Sequence, residues 1–250
     1  IMIFGLIMIV CSYTAAALVS EPSLFFQTLL MAGLSVGPLE VAVNLEADRV
    51  EYGLEQRIIN RSHAFWSLGF FATGLREALM SQLSVLIVFH FAGFGLIIVA
   101  LTIFCFLGFT QAPLRPSADT STPRFVRQSA AILVLVGLTL SAMLAEGSAI
   151  EWSVIYMRDI FATVPLFSGL ALALKAFFQF ITRYIAVHFV VQYGPHKVAK
   201  ICLWIMLTGV ILVAIVPTWP LALAGFACLG VGSSVIFPLA MSAAAQLKNR

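Results

Sequence analysis

The chain has 250 residues, of which 61% are hydrophobic and only 10% charged, with a formal net charge of +3 and a mean hydropathy of +1.04. A water-soluble domain carries about 25% charged residues, so that class is excluded and an all-α polytopic membrane protein is expected. Alternating ten-residue strands are missing, which excludes a transmembrane barrel.

Crossing the hydrocarbon core takes about 20 apolar residues. Segments of this kind are read near 1–20, 23–45, 63–83, 85–108, 129–157, 164–182, 198–217 and 219–245. The division within 63–108 falls at Ser81-Gln82. Lys and Arg crowd into alternate connections. Arg49, Arg57 and Arg61, then Arg115, Arg124 and Arg127, then Arg183, Lys197 and Lys200, and last Lys248 and Arg250 fall on one side, against Arg158 alone on the other. Positive residues stay cytoplasmic. The bias therefore supports eight crossings with both ends on the cytoplasmic side.

The stretch 109–128 is rich in Pro, Ser and Thr and reads as a cytoplasmic linker between a helical bundle at 1–108 and another at 129–250. The chain opens inside one apolar run and closes just after another, so a longer parent protein is expected. Cys11, Cys105, Cys202 and Cys228 sit singly in different segments, which suits membrane-buried thiols rather than disulfides or metal ligands. No cofactor is expected.

Gly33, Gly37, Glu40 and Asn44 follow i, i+4, i+7, i+11 and share one helix face. The glycines admit a neighbouring helix. A charge facing lipid costs at least about 2.5–3.5 kcal/mol, so Glu40 is expected to face a cavity or a partner, as a proton-coupling group or as a tie between helices. Glu46, Asp48 and Glu51 are expected at the cytoplasmic end, solvated or paired with Arg49, Arg57 and Arg61. His63, Ser67 and Gly74 share a face of the next segment. Trp66 reads either as a stacking platform for a solute ring or as an interfacial belt residue. Arg76-Glu77 is expected near the outer mouth.

Glu146 lies about 24 Å along its helix from Ala130. It reads as a gating or coupling acid, or as a helix-to-helix tie. Lys175 stands in mid-segment with Gln179 at i+4. It requires a carboxylate partner or an anionic group on a substrate, and Glu146 is the expected partner. Gly225, Gly230, Gly232 and Pro238 make the last segment bendable.

An A-x-L-x-V-G pattern occurs in MAGLSVG (31–37) and again in FACLGVG (226–232), offset by 195 residues and six crossings. Many secondary transporters are built from two related six-helix halves. The run LEVAVNLEADRVE (39–51) followed by HAFWSLG (63–69) resembles the fourth and fifth helices of the major facilitator superfamily (MFS), in its bacterial fucose-permease-like branch. AEGSAIEWSVIYMRD (145–159) resembles a seventh helix of related members. TRYIAVHFVVQYGPHKV (182–198) is similar to the second copy of the family's cytoplasmic loop motif, G-R-x-x-G-D-R-x-x-x-R-x-G. Arg183 and Gly194 match it, while Thr182, Ala186, Val187, His188 and Gln192 depart from it.

The resemblance implies helices three to ten of a twelve-helix, two-bundle transporter in the cell (inner) membrane. Glu40 takes the position of a proton-coupled carboxylate and Asn44 that of the asparagine following it. His63 and Trp66 occupy sugar-contact positions held elsewhere by glutamine and asparagine, and Arg183 and Gly194 belong to the gating loop. The implied activity is proton-coupled symport of a small polar solute, such as a sugar, by alternating access. Partners are then the solute, protons and the lipid bilayer, with no nucleic acid and a monomeric state. The competing readings are an intramembrane transferase using Glu40, His63 and Glu146 as acid and base, and a non-transporting sensor. Neither an HExxH nor a DxD pattern favours the enzyme.

Overall fold

Proline at helix starts and glycine at a helix end set the outline of the chain. The computed structural model describes residues 2–55, 58–113, 130–215 and 217–240. Within them run α1 (Met2–Ala16), α2 (Pro22–Leu54), α3 (Ile59–Gln82), α4 (Ile87–Phe106), α5 (Ala130–Phe161), α6 (Pro165–Tyr193), α7 (Pro195–Ile215) and α8 (Trp219–Ser233). Pro22, Pro165 and Pro195 each open a helix and Pro220 lies in the first turn of α8, where a missing N–H costs nothing. No strand occurs among the described residues. Arg57, Arg115, Arg124, Arg127, Lys248 and Arg250, and the part of the expected linker beyond residue 113, lie outside the described residues.

The eight helices fall where the eight apolar segments are read. The break at Ser81-Gln82 is present: α3 ends at Gln82 and Ser84 turns the chain with φ +55° before α4 begins. Among the described residues, six stretches are long and apolar enough to cross a membrane: α2, α4, residues Ile132–Phe161 of α5, α6, α7 and Trp219–Ala240. The chain is thus an all-α, multi-pass membrane protein. The apolar α1 is shorter. Arg61, His63, Arg76 and Glu77 reduce the hydropathy of α3.

The helices group into two compact units, α1, α2 and α4 in one, and α3 with α5–α8 in the other. In the first, α1 packs against both α2 and α4. A Cβ on Gly5 would lie 3.6 Å from the Ser35 carbonyl of α2, and one on Gly95 of α4 would run into a Val10 methyl. Tyr13 and Phe91 stack with ring centroids 5.9 Å apart. Glu46 accepts from Arg49 at 3.1 Å and from the Ala112 N–H at 2.8 Å, tying the end of α2 to the chain beyond α4. Glu51 accepts from the Ile58 N–H at 2.8 Å.

The second unit is built around α6 and α8. Small residues bring backbones together, the usual way helices associate where lipid removes the hydrophobic drive. Gly209 of α7 and Gly225 of α8 face each other closely enough that a Cβ on Gly209 would lie 2.8 Å from the Gly225 carbonyl. The segment at 63–83, expected in the first bundle, forms α3 and is grouped with the second unit. The reason is local: Gly169 of α6 abuts Ala78, and Leu172 fills the space beside Gly74. Met157, Ala171, Ala222, Leu223, Phe226 and Leu229 form the apolar core between α5, α6 and α8. The Tyr156 hydroxyl donates to the Val213 carbonyl.

Candidate functional site

Lys175, Gln179 and Arg183 recur at i, i+4 and i+8 and stack along one face of α6. Gly230 of α8 lies directly against the Lys175 carbonyl, so the two backbones close over this face. Lys175 and Gln179 are each 1% exposed. Lys175 Nζ donates to Gln179 Oε1 at 2.9 Å, and Gln179 Nε2 donates to Glu146 Oε1 of α5 at 2.5 Å. Lys175 Nζ is itself 3.5 Å from the same carboxylate oxygen.

Arg183 completes the cluster. Its Nη2 donates to Glu146 Oε1 at 3.3 Å, and its Nη1 donates to Ser67 Oγ of α3 at 2.9 Å and to the His63 carbonyl at 3.5 Å. Nε donates to the Ser234 carbonyl at 3.2 Å, and the guanidinium lies 5.9 Å from the centre of the Trp66 ring. The helix of α8 stops at Ser233, and helical structure resumes at 236–240. Pro238 is four residues after Ser234 and has no N–H to give its carbonyl. Arg183 satisfies that acceptor instead.

Two cations and one carboxylate share this interior. Moving an ion out of water costs several kcal/mol even after relaxation, and the cost is offset only by close, well hydrogen-bonded partners. Here one oxygen of Glu146 serves Lys175, Gln179 and Arg183 together, so these side chains fix α5 against α6. Ser67 is fully buried, and Trp66, also packed on Phe70 at 4.4 Å between ring centres, is 47% exposed. The cluster therefore has a buried cationic floor and an aromatic edge open to the outside of the unit.

Of the residues singled out in the sequence, Glu146, Lys175, Arg183, Ser67, Trp66 and the backbone of His63 come together. Glu40 and Asn44 belong to α2 in the first unit, and both are exposed there. A Cβ on Gly33 or Gly37 would meet nothing within 4 Å, since α1 approaches α2 at Ser35 and Leu39, on another face. Arg183 is not in a loop. It lies within α6, which continues to Tyr193, and the connection to α7 is Gly194 alone, with φ +82° and its N–H donated to Val190 at 3.0 Å. An unbroken apolar helix carries Arg183 past the expected loop start, because Glu146 and Ser234 supply partners within the packed unit. Arg76 and Glu77 approach only to 3.8 Å.

Gly33-Leu-Ser-Val-Gly37 spells GxSxG. A nucleophile elbow needs a sharp strand-to-helix turn. Ser35 sits instead in mid-helix and donates to the Met31 carbonyl at 2.9 Å, so it has none of the required geometry. Two members of the cluster carry faint sequence signals. Gln179 is marked only by its i+4 spacing from Lys175, and the Ser234 carbonyl only by a proline four residues on.

No family model matches the chain. Two curated proteins are similar to it. An uncharacterized transporter of Sinorhizobium fredii (strain NBRC 101917 / NGR234) is 31% identical over 242 residues, which is 94% of this chain and 62% of that protein. An uncharacterized MFS-type transporter of Yersinia pestis is 26% identical over 233 residues, 91% of this chain and 58% of that protein. The chain thus spans about three fifths of the length of these relatives.

Proposed function

We propose that the chain is part of a secondary active transporter of the major facilitator type, moving a small polar solute by alternating access with proton coupling. The observation that carries this reading is similarity, over more than nine tenths of the chain, to two proteins named as transporters, one of them MFS-type. Six apolar helices of crossing length support it, as does the charged cluster of α5 and α6. Intramembrane ionisable residues commonly mark a solute or proton path. In this reading Glu40 carries the coupling proton, the Glu146–Lys175–Arg183 cluster contributes to solute binding and gating, and the cell inner membrane is the site of action.

The test is uptake by the complete protein in sealed vesicles, with and without an imposed pH gradient. The panel holds sugars, sugar acids and other small metabolites. Gradient-driven accumulation is expected. Glu40→Gln is expected to abolish uphill uptake while sparing exchange. Uphill uptake that survives Glu40→Gln removes the coupling role, and no flux of any solute by a well-folded protein removes the transporter reading.

A further inference from the structure

We infer that the cluster of α3, α5, α6 and α8 is a binding site for a small organic carboxylate, held by Lys175 and Arg183 with its apolar or ring portion against Trp66. This deepens the transporter reading and rests on it for how a solute reaches the site.

Lys175 and Arg183 can only donate, and one oxygen of Glu146 is shared among three groups. Lys175, Arg183 and Gln179 Nε2 all converge on Glu146 Oε1. Lys175 donates to Gln179 Oε1 and lies 3.5 Å from Glu146 Oε1. Two hydroxyls, Ser153 of α5 and Ser233 of α8, are buried without a partner among the described residues. Ser153 is two turns, about 10 Å, along the same side of α5 from Glu146, and Ser233 is three residues past Gly230, the residue that abuts Lys175. A neutral polyol requires acceptors as well as donors. A carboxylate requires donors alone, and a guanidinium with an ammonium is a strong pair for it.

Charge balance points the same way. With Lys175, Arg183 and Glu146 ionised, the cluster carries one uncompensated positive charge at 1–15% side-chain exposure. One bound carboxylate brings the sum to zero. Glu146 neutralises one of the two cations and shares them with the solute's own anionic group, and Trp66, half-exposed beside the guanidinium, offers a flat apolar surface to the remainder of the solute.

The experiment measures binding to the complete protein in detergent, by calorimetry, with matched pairs: gluconate against glucose, benzoate against benzyl alcohol, and inorganic phosphate as the anion control. A carboxylate is expected to bind at least ten-fold more tightly than its neutral counterpart and than phosphate. Lys175→Gln is expected to weaken it ten-fold or more. Glu146→Gln removes the internal competitor and is expected to tighten it several-fold, a sign that mere damage to the fold does not produce. If Lys175→Gln does not fold, Arg183→Lys decides, with a loss confined to the carboxylate. Equal binding of the neutral partners, preference for phosphate, no binding by either carboxylate, or unchanged affinity in Lys175→Gln overturns the inference. Uptake of a neutral solute without carboxylate binding leaves the transporter reading standing and removes this site. Carboxylate binding without any flux does the reverse.

Discussion

Gly230 of α8 rests on the carbonyl of Lys175 in α6: a Cβ built on the glycine would run into that oxygen and would lie 3.2 Å from the Gln179 nitrogen. The helix contact and the buried cluster are therefore one structural feature. Gly230→Ala must push α8 away from the face bearing Lys175 and Gln179. Overpacking of this kind costs about 1–3 kcal/mol. The expected result is a lower thermal midpoint in detergent, with loss of carboxylate binding in parallel. An unchanged midpoint and unchanged binding would show that α8 does not close on α6 in this way.

Glu146 has two cationic partners and Lys175 has one anionic partner, so their losses are unequal. Lys175→Ala leaves Glu146 paired with Arg183. Glu146→Ala leaves two buried cations without a counter-charge, a class of change that costs about 3–5 kcal/mol. Glu146→Ala is expected to be the more destabilising, and the double variant less so than the sum of the two. Thermal unfolding of the four proteins measures this, and strict additivity would remove the pair.

Arg183 caps the Ser234 carbonyl because Pro238 cannot. Arg183→Ala is expected to destabilise the unit and to speed amide exchange at 235–237 and 239–240. Pro238→Ala supplies the missing N–H, so Arg183→Ala is expected to cost less in that background, by about 0.5–3 kcal/mol of coupling. Equal costs in both backgrounds would mean that the carbonyl is satisfied independently of Arg183.

In the first unit, Glu46 holds the Ala112 N–H across 66 residues of sequence. Glu46→Ala removes that acceptor and the Arg49 pair, a loss of about 1.5–3 kcal/mol for a hydrogen bond to a charged group. Hydrogen exchange at Ala112 is expected to rise sharply while exchange within α1 stays slow. Unchanged protection at Ala112 would contradict the tie.

The apolar runs, with prolines in the first turn of four helices, determined the helices by themselves, because length and hydropathy are local properties and proline fixes φ wherever it stands. The break at Ser81-Gln82, the placing of Glu146 in mid-helix and its pairing with Lys175 were legible for the same reason: a lone lysine in an apolar helix needs an acid, and few were in reach. What only the tertiary structure decided is which helix faces meet. The two copies of A-x-L-x-V-G show this most directly. Gly232 in the second copy is pressed on Met206, while Gly37 at the equivalent place in the first has nothing within 4 Å. The motif specifies a small surface, and only a neighbour's approach turns it into a contact. Likewise Arg183 reads as a loop residue in one dimension. It becomes the hub of the site because Ser67 of α3, Glu146 of α5 and the carbonyl just after α8 that Pro238 orphans all reach it, and hydrogen bonds between elements distant in sequence leave no periodic trace along the chain.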